Sequence, residues 1–443
     1  MGEVVIRGGT VVDAGGSRRA DVAVADGVIK EVAEGLDTPS GATVMDAGGC
    51  LVAPGLVDLH THLRQPGREE AETVETGARA AALGGYTAVV AMPNTEPAID
   101  CAAVAQQVLD LGRTAAAEVA VAAAITVGRA GERLAPMAEL AALGVRLFTD
   151  DGDGVQDGGL MRRALDYAAG LRARGVPVVL AQHCQDNQLA CGGCMHEGAW
   201  SSRLGLPGMP AAAEEAMVAR DIALARLTGA PVHFLHLSTA GSVDLVRRAK
   251  ADGVAVTAEA APHHFFLTDA LVAGYDPVFK VNPPLRTDHD VAAVKAGLVD
   301  GTIDAIATDH APHAPEAKDQ PFDHAPPGML GLETALAVAL TELPLPAERV
   351  LALMSWQPAA IAGLGPAGGL RPAGGFTTHG GPVVVGADAN LCVVDPDAIW
   401  TVDAGRLASR SRNTPYAGRK LTGRVRHTIL RGQPVVVDGE AQR

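Results

Sequence analysis

The chain has 443 residues, of which 48% are hydrophobic and 20% are charged, a composition typical of a packed globular protein. Its formal net charge of -15 argues against a nucleic-acid or anionic-membrane partner, because both require clustered Lys and Arg side chains. No stretch is apolar enough to span a membrane, and the N-terminus lacks a signal-peptide pattern. We therefore expect a cytoplasmic protein, built as one large unit and one smaller one because a single core rarely grows to this length.

The N-terminal residues 1–53 alternate short β-rich runs with glycine turns. The clearest runs lie at 4–6, 22–24 and 28–29. Short runs of this kind, bounded by glycine, are typical of strands joined by tight turns. We predict a small β unit over 1–53.

From Asp58 onward the pattern changes to apolar strands that alternate with Ala-rich helices. The eight apolar runs are 57–62, 87–92, 119–125, 145–149, 177–182, 231–237, 254–260 and 303–308. The helical windows are 70–83, 102–112, 159–174, 211–228 and 289–299, and 331–364 is typical of two further helices. Eight strands alternating with helices predict an α/β fold, a parallel (β/α)8 TIM barrel over residues 54–364.

Beyond residue 365 the composition shifts to Gly and Pro, and short β-rich runs return. These runs are 383–385, 391–394, 425–430 and 435–437, and the stretch 371–386 has the composition of an insertion. An open strand edge at one end of the chain can be covered by strands from the other end. We therefore predict that 1–53 and 365–443 together form one small β-sandwich beside the barrel.

The first predicted barrel strand runs into the sequence His60-Thr61-His62-Leu63-Arg64. Alternate side chains of a strand point to one face, so His60 and His62 project together and could hold one metal ion through neutral imidazoles. Arg64 is in phase with both. Taken alone, two such histidines are also typical of hydrogen-bonded core residues, because a short motif is only a hypothesis.

In barrels of this type the active site lies at the C-terminal ends of the strands. The polar residues that follow the predicted strands are His60, His62, Asn94, Asp150, Asp151, His183, His236 and Asp309. Each has an ordinary alternative, such as a helix cap, a turn residue or a buried core histidine. Together, four histidines and two carboxylates fit two adjacent divalent ions bridged by one carboxylate, a ligand set that suits zinc and admits cobalt or manganese. Two such ions can activate water and polarise a carbonyl, which predicts hydrolytic chemistry.

These stretches resemble the amidohydrolase superfamily and, within it, the dihydroorotases of the bacterial class I type. The resemblance rests on Asp-Leu-His-Thr-His-Leu-Arg (58–64), Met-Pro-Asn-Thr (92–95), Phe-Thr-Asp-Asp-Gly (148–152), Ala-Gln-His-Cys (181–184), His-Phe-Leu-His-Leu-Ser-Thr (233–239) and Thr-Asp-His-Ala-Pro-His (308–313). It implies a zinc-dependent cyclic amidohydrolase. The implied reaction is the reversible cyclisation of N-carbamoyl-L-aspartate to L-dihydroorotate, a step of pyrimidine (UMP) biosynthesis.

By the same resemblance, the implied metal ligands are His60, His62, Asp151, His183, His236 and Asp309. The first two histidines and Asp309 would bind one ion, the other two histidines the second, and Asp151 would bridge them. Many superfamily members bridge with a carboxylated lysine, but this chain has no lysine between residues 30 and 250. Only the alignment of the motif favours Asp151 over Asp150. We expect one or two Zn²⁺ ions per chain.

The implied mechanism is attack of a metal-bound hydroxide on the ring amide carbonyl, with the ions stabilising the oxyanion. Asp309 would be the catalytic acid and base, since it would take the proton of the hydroxide and deliver it to the leaving nitrogen. The reverse direction would expel water.

The substrate also carries a carboxylate away from the reacting carbonyl. Arg64 suits it because a guanidinium pairs with a carboxylate through two parallel hydrogen bonds. The resemblance adds Asn94 and His313 to this recognition. It also implies that Asn282 binds the ring or the ureido group, although an Asn before two prolines is equally typical of a turn.

A long, Pro-rich segment, 311–328, follows the last predicted strand. Long loops in compact domains are usually either functional or disordered. We predict that this one covers the site and that Pro327 and Gly328 bind substrate through their backbone groups. His263 and His264 also fit the family pattern, but the implied ligand set is already complete, so we predict a packing role for them.

Two alternatives remain open from the sequence. Another cyclic-amide hydrolase, such as a hydantoinase, dihydropyrimidinase or allantoinase, is expected to bridge its metals with lysine and to have less use for Arg64. A non-catalytic, dihydroorotase-like scaffold for aspartate carbamoyltransferase is expected to have lost metal ligands, whereas all six positions are filled here. The resemblance implies a small-molecule substrate and a homodimer, and it admits a complex with aspartate carbamoyltransferase.

Overall fold

The computed structural model describes residues 3–366 and 372–442. Its first seven strands are β1 (Val4–Arg7), β2 (Thr10–Asp13), β3 (Gly16–Arg19), β4 (Asp21–Ala25), β5 (Val28–Ala33), β6 (Thr43–Asp46) and β7 (Leu51–Pro54). The turn between β4 and β5 consists of Asp26 and Gly27, both at positive φ. This is the hairpin geometry that an Asp-Gly pair favours, because its twist matches that of the strands.

The barrel strands come next in the chain. The ten strands of this region are β8 (Leu56–Thr61), β9 (Tyr86–Ala91), β10 (Glu118–Val121), β11 (Leu147–Phe148), β12 (Val179–Gln182), β13 (Met195–His196), β14 (Gly208–Met209), β15 (Val232–Phe234), β16 (Val256–Ala260) and β17 (Ala305–Ile306). Apart from β13 and β14, which pair with each other, they form two parallel sheets in the orders β10-β9-β8 and β11-β12-β15-β16-β17. Single parallel bridges, Thr61 to His310 and Ala123 to Phe148, join the two sheets. The eight strands thus close the predicted barrel.

Helices connect these strands and continue beyond the last one. They are α1 (Val74–Leu83), α2 (Ala102–Gly112), α3 (Met137–Ala142), α4 (Gly158–Ala173), α5 (Ala199–Leu204), α6 (Ala212–Thr228), α7 (Ala240–Ala251), α8 (Asp288–Asp300), α9 (Pro315–Lys318), α10 (Ala335–Glu342), α11 (Ala347–Met354) and α12 (Trp356–Ala362). α1 begins four residues later than predicted because Thr73 and Thr76 form a capping box there. None of the described helices is long and apolar enough to cross a membrane.

Two local predictions were wrong. The region 331–364 contains three helices, because Pro346 precedes α11 and Ser355 takes a non-helical conformation between α11 and α12. The run 383–385 is not a strand. Val383 donates its backbone N–H to Asp13 Oδ2 at 2.9 Å. A side chain thus accepts the hydrogen bond that a neighbouring strand would otherwise accept.

The C-terminal strands are β18 (Leu391–Thr401), β19 (Lys420–Leu430), β20 (Gln433–Val437) and β21 (Glu440–Ala441). One sheet has the order β21-β20-β19-β18-β7-β2-β3 and the other β5-β4-β1-β6. Buried side chains from both ends of the chain, among them Ile29 and Leu391, pack in one cluster. The termini therefore share one β-sandwich, as predicted. The predicted divisions at 53 and 365 stay predictions, and residues 1–2, 367–371 and 443 lie outside the described residues.

A buried carboxylate joins the N-terminal end of the barrel to the C-terminal part of the chain. Glu118 of β10 accepts hydrogen bonds from His379 Nε2 at 3.0 Å and from the Thr377 hydroxyl at 2.6 Å, and Arg431 forms an ion pair with it. Burial alone would raise the pKa of Glu118, but these partners outweigh burial and lower the pKa to about 2. We refer to Glu118, Thr377, His379 and Arg431 as the floor network.

The floor network predicts a pH-dependent stability. Because the pKa of Glu118 is lower in the folded protein than its ordinary 4.5, its contribution is full above that value and disappears as the pH falls toward the folded pKa. We expect Glu118→Gln to lower the free energy of unfolding by about 2 kcal/mol at pH 7. The difference from wild type should shrink below pH 4.5.

Urea unfolding of the wild type and the variant at neutral and at acidic pH measures this difference. Glu31→Gln, on the exposed side of β5, is the control. Equal stability of E118Q and E31Q at neutral pH would contradict the expectation.

Candidate active site

The proposed metal ligands all lie at one end of the barrel. His60 is in β8, and His62 follows it. The other members of the set follow the C-terminal ends of β11, β12, β15 and β17, and they are Asp151, His183, His236 and Asp309. Since the strands are parallel, these side chains meet at the same rim. Each is at most 6% exposed, so water is largely excluded from the charges they carry.

Asp151 lies at the centre of the four histidines. Its Oδ1 is 3.4 Å from His60 Nε2 and from His183 Nδ1, and 3.6 Å from His236 Nε2. Its other oxygen, Oδ2, is 3.6 Å from His62 Nε2. One carboxylate thus faces four imidazoles from the ends of three strands, β8, β12 and β15, which is the arrangement expected of a bridging ligand.

Asp309 is the second carboxylate of the cluster, and it contacts two of the same histidines. Its Oδ1 is 3.1 Å from His62 Nε2 and 3.6 Å from His60 Nε2. Two groups of ligand atoms, each within 4.8 Å of one another, can be drawn from the cluster: His60, Asp151 and His236, and His60, His62 and Asp309. Both are mixed nitrogen and oxygen sets of the kind that hold zinc, cobalt or manganese.

The two carboxylates and His60 favour each other's charged forms, whereas burial and the charge of Arg64 lower the pKa of His62. Burial alone would raise the pKa of Asp151 and of Asp309, but the neighbouring imidazoles hold both pKa values below their ordinary range. For His60, burial alone would lower the pKa, yet Asp151, Glu259 and Asp309 outweigh burial and raise it. A divalent cation can replace the protons that these contacts favour, because metal binding and proton release at such ligands are coupled.

Glu259, on β16, orients His60, and the sequence patterns did not indicate it. Its Oε1 accepts from His60 Nδ1 at 2.9 Å and its Oε2 accepts from His233 Nε2 at 3.0 Å. With Nδ1–H held by Glu259, His60 points Nε2 into the cluster, where that buried atom has no hydrogen-bond partner among the described residues. Such an orphaned nitrogen fits a metal ion, and carboxylates behind metal-bound histidines are common.

The two adjacent aspartates after β11 have separate environments. Asp150 accepts from the backbone N–H of Thr126 at 3.0 Å and from the Thr126 hydroxyl. It therefore ties the end of β11 to the segment after β10. Asp151 alone faces the histidines, which supports the choice made from the motif.

Arg64 and Asn94 lie beside the cluster. Arg64 is at positive φ, and its Nε donates to Pro312 O at 3.1 Å. Its terminal NH2 groups have no hydrogen-bond partner within 3–366 and 372–442. Asn94 is already engaged, because its Oδ1 accepts from His62 Nδ1 at 2.9 Å and its Nδ2 donates to Asp151 Oδ2 at 3.3 Å. Asn94 thus orients two proposed metal ligands in this structure.

Asn282 contacts the cluster from the segment before α8. Its Nδ2 is 3.3 Å from His183 Nε2, while its buried Oδ1 has no partner among the described residues. If His183 binds a metal through Nδ1, its Nε2 carries the proton. A half-turn of the Asn282 amide would then supply the acceptor, a reorientation that hydrogen-bond networks commonly require.

His263 lies closer to the site than its predicted packing role implies. Its buried Nε2 is 3.8 Å from Asp309 Oδ2 and has no hydrogen-bond partner among the described residues. Burial lowers the pKa of His263 to about 4, so the ring is neutral. His264, by contrast, donates to Pro283 O at 3.0 Å and does pack into the wall. The two histidines were predicted together but have different surroundings.

Residues 311–328, which we call the rim loop, run along the edge of the cluster. His313 Nε2 donates to Pro327 O at 2.8 Å, across the loop. Gly328 has a φ of 145°, and a Cβ there would lie 2.7 Å from His313 Nε2. Only glycine fits this close approach. The loop thus brings together His313, Pro327 and Gly328, three residues for which substrate contacts were predicted.

The chain is similar in sequence to proteins named dihydroorotase. It is 50% identical over 442 residues to the dihydroorotase of Pelotomaculum thermopropionicum, covering 98% of this chain and 99% of that one. It is 47% identical over 444 residues to the dihydroorotase of Mycobacterium tuberculosis, covering 99% of each. A family model described as "Dihydro-orotase-like" matches residues 49–242.

Solved structures with a similar fold carry other names. An L-hydantoinase (dihydropyrimidinase) from Arthrobacter aurescens matches with a TM-score of 0.84 at 25% identity, over 100% of this chain and 98% of that one. A D-hydantoinase (dihydropyrimidinase) from Thermus sp. matches with a TM-score of 0.79 at 25% identity, over 99% and 96% of the two chains. They show the same amidohydrolase barrel with its β-sandwich.

The contacts of Glu259 predict a loss of metal affinity on substitution. Glu259→Gln keeps the size of the side chain but can no longer accept from both His60 and His233 with a full negative charge. We expect Zn²⁺ affinity, measured by competition with a chromophoric chelator, to fall about 10- to 100-fold. Glu118→Gln, which removes an equally buried carboxylate of the floor network, is the matched control and should keep wild-type affinity. Unchanged affinity in E259Q would show that His60 does not depend on this carboxylate.

Proposed function

The chain belongs to the dihydroorotase family, and we propose that it catalyses the reversible cyclisation of N-carbamoyl-L-aspartate to L-dihydroorotate in pyrimidine biosynthesis. The observation that carries the proposal is a buried Asp151 among four histidines, next to an Arg64 guanidinium whose terminal NH2 groups have no hydrogen-bond partner among the described residues. The first feature suits hydrolysis of an amide. The second suits a substrate with a free carboxylate.

We propose one or two Zn²⁺ ions as the cofactor. The residues that would hold them are His60, His62 and Asp309 for one ion, His183 and His236 for the other, and Asp151 between the two. The orphaned Nε2 of His60 and the two buried carboxylates support this assignment. When bound, the ions would polarise the ring amide carbonyl and lower the pKa of the attacking water.

Asp309 is the proposed proton carrier. In the hydrolytic direction it takes a proton from the attacking water as the new C–O bond forms, and it gives this proton to the ring nitrogen as the C–N bond breaks. In the cyclising direction the nitrogen returns the proton, and water leaves. Asp309 suits this role because its carboxylate is ionised and its backbone is held at a φ of 46°, a strained conformation of the kind found at functional sites.

Arg64 is the proposed anchor for the substrate carboxylate. Burial lowers its pKa only to about 10, so the guanidinium keeps its charge at neutral pH. His313 has a pKa lowered to about 3, chiefly by burial and by the charges of Arg64 and Lys318. It therefore acts as a neutral hydrogen-bonding group. Asn94 would complete this end of the site once substrate displaces part of its present bonding to Asp151.

The remaining proposed contacts lie toward the ring. With His183 bound to metal and the Asn282 amide turned to accept from His183 Nε2, the Nδ2 group of Asn282 takes the unpartnered position and is available to a ring or ureido carbonyl. Pro327 and Gly328 would offer backbone groups from the rim loop. Contact with these fixed groups would hold the ring amide against the metal centre, which is how positioning accelerates a reaction.

The alternative activity is hydrolysis of another cyclic amide, which the names of the structural neighbours would suggest. Those neighbours are 25% identical to this chain, whereas relatives named dihydroorotase reach 50%. The role of a non-catalytic scaffold is less well supported, because all six proposed ligands converge. A cytoplasmic location, a homodimer and a complex with aspartate carbamoyltransferase stay predictions.

The role of Asp309 can be tested directly. We expect Asp309→Asn to lower kcat/KM for dihydroorotate about 10³-fold, because the amide can still contact a metal ion but cannot carry the proton. Ultraviolet absorbance of the ring follows the reaction, and metal content is measured on the same sample. Asp304→Asn, which removes a carboxylate at the opposite end of the same strand, is the control. Full activity in D309N would disprove the assigned role.

The role of Arg64 predicts a change of specificity. Dihydrouracil is dihydroorotate without its carboxylate, so the ratio of kcat/KM for the two substrates measures recognition of that group. We expect Arg64→Ala to reduce this ratio about 100-fold. Arg68→Ala, an exposed neighbour paired with Glu96, should leave it unchanged. An equal loss of kcat/KM on both substrates would mean that Arg64 supports the site without binding the substrate carboxylate. Wild-type protein that hydrolyses hydantoin or dihydrouracil in preference to dihydroorotate would favour the alternative activity.

A further inference from the structure

The side chain of Asn413 is buried against the rim loop, although it belongs to the C-terminal part of the chain. It lies in the segment 402–419, which connects β18 to β19. Asn413 is 7% exposed. A buried amide must satisfy its donors and acceptors, so its partners show what the residue holds in place.

All of those side-chain partners belong to the rim loop. Asn413 Nδ2 donates to Ala311 O at 3.0 Å and to Gly328 O at 3.1 Å. Its Oδ1 accepts from the backbone N–H of His313 at 3.2 Å. One side chain thus joins the beginning of the loop to its end, and it uses both amide donors and the carbonyl oxygen to do so.

Asn413 is itself held by the barrel. Its carbonyl accepts from Leu330 N at 3.1 Å. Two residues earlier, Ser411 Oγ donates to Ala71 O at 2.7 Å, and three residues earlier Arg410 N donates to Glu72 Oε1 at 3.1 Å. Ala71 and Glu72 lie in the segment between β8 and α1. The clamp on the rim loop is therefore fixed by residues outside that loop.

We propose that Asn413 is a positioning residue for substrate recognition. It sets the place of His313 and of the backbone at Gly328, which both bind substrate under the function proposed above, on which this inference rests. His313 Nε2 also donates to Pro327 O, directly before Gly328, at 2.8 Å, so the imidazole and this stretch of backbone are coupled. Loss of the clamp would therefore loosen the carboxylate end of the site as a unit, while Asp309 and the metal ligands stay in place on the barrel strands.

Asn390 offers a matched control at the other end of the barrel. It is 3% exposed, and its amide also makes three hydrogen bonds. Its Nδ2 donates to Thr377 Oγ1 and to Thr378 O, and its Oδ1 accepts from Arg431 N. Asn413→Ala and Asn390→Ala thus remove the same number of buried hydrogen bonds, one at the rim loop and one beside the floor network. Destabilisation of the whole protein should affect both variants alike.

We expect Asn413→Ala to raise KM for dihydroorotate about tenfold or more, as the loss of several neutral hydrogen bonds allows. Its kcat and metal content should change less than about twofold. Asn390→Ala should leave KM at the wild-type value. An unchanged KM in N413A, or an equal rise in both variants, would overturn the proposal.

A second measurement separates this inference from the proposed function. Hydrogen–deuterium exchange of the ligand-free protein reports the opening of residues 311–328 whether or not the protein hydrolyses dihydroorotate. We expect exchange in these residues to accelerate about tenfold in N413A and not in N390A. Wild-type protein without dihydroorotase activity would refute the proposed function alone. Unchanged exchange in N413A would refute the clamp, whatever the activity.

Discussion

The structure of this site depends on two carboxylates, Asp151 and Asp309, that are buried together among four imidazoles. Isolated negative charge is costly to bury, and it persists only where positive charge or strong hydrogen bonds meet it. The parallel strands bring carboxylates and imidazoles that are far apart in the chain to one rim, where they compensate each other's burial. The two buried carboxylates also explain why the cluster suits a cation, because they favour positive charge at a site from which water is excluded.

Residues around this cluster orient the side chains of individual ligands. Glu259 sets the ring of His60, and Asn94 sets that of His62. Further out, Asn413 holds the rim loop from a segment beyond the barrel. The β-sandwich side of the chain thus takes part in shaping the site, although every group that would touch the reacting atoms comes from the barrel. Orientation of this kind matters because small displacements of reacting groups reduce rates strongly.

The sequence predicted the barrel strands and the sandwich well, because alternating apolar runs and Ala-rich helices are local patterns. It also predicted the residues at the rim, since His60 and His62 lie two apart on one strand. Glu259 gave no such signal, as its partner His60 is 199 residues away. Asn413 is 100 residues from His313. The prediction for 383–385 was wrong for a related reason: its residues favour a strand, but the backbone N–H of Val383 is bound by the side chain of Asp13, 370 residues away.

The strand order of the sandwich has a consequence for synthesis. β7 pairs with β18, so an edge formed by the first fifty-four residues stays open until strands near the other end of the chain are made. During translation the barrel segment emerges in between, and the unpaired edge is exposed to other nascent chains. Since Asn413 is also among the late residues, the carboxylate end of the site can be completed only after the barrel has left the ribosome.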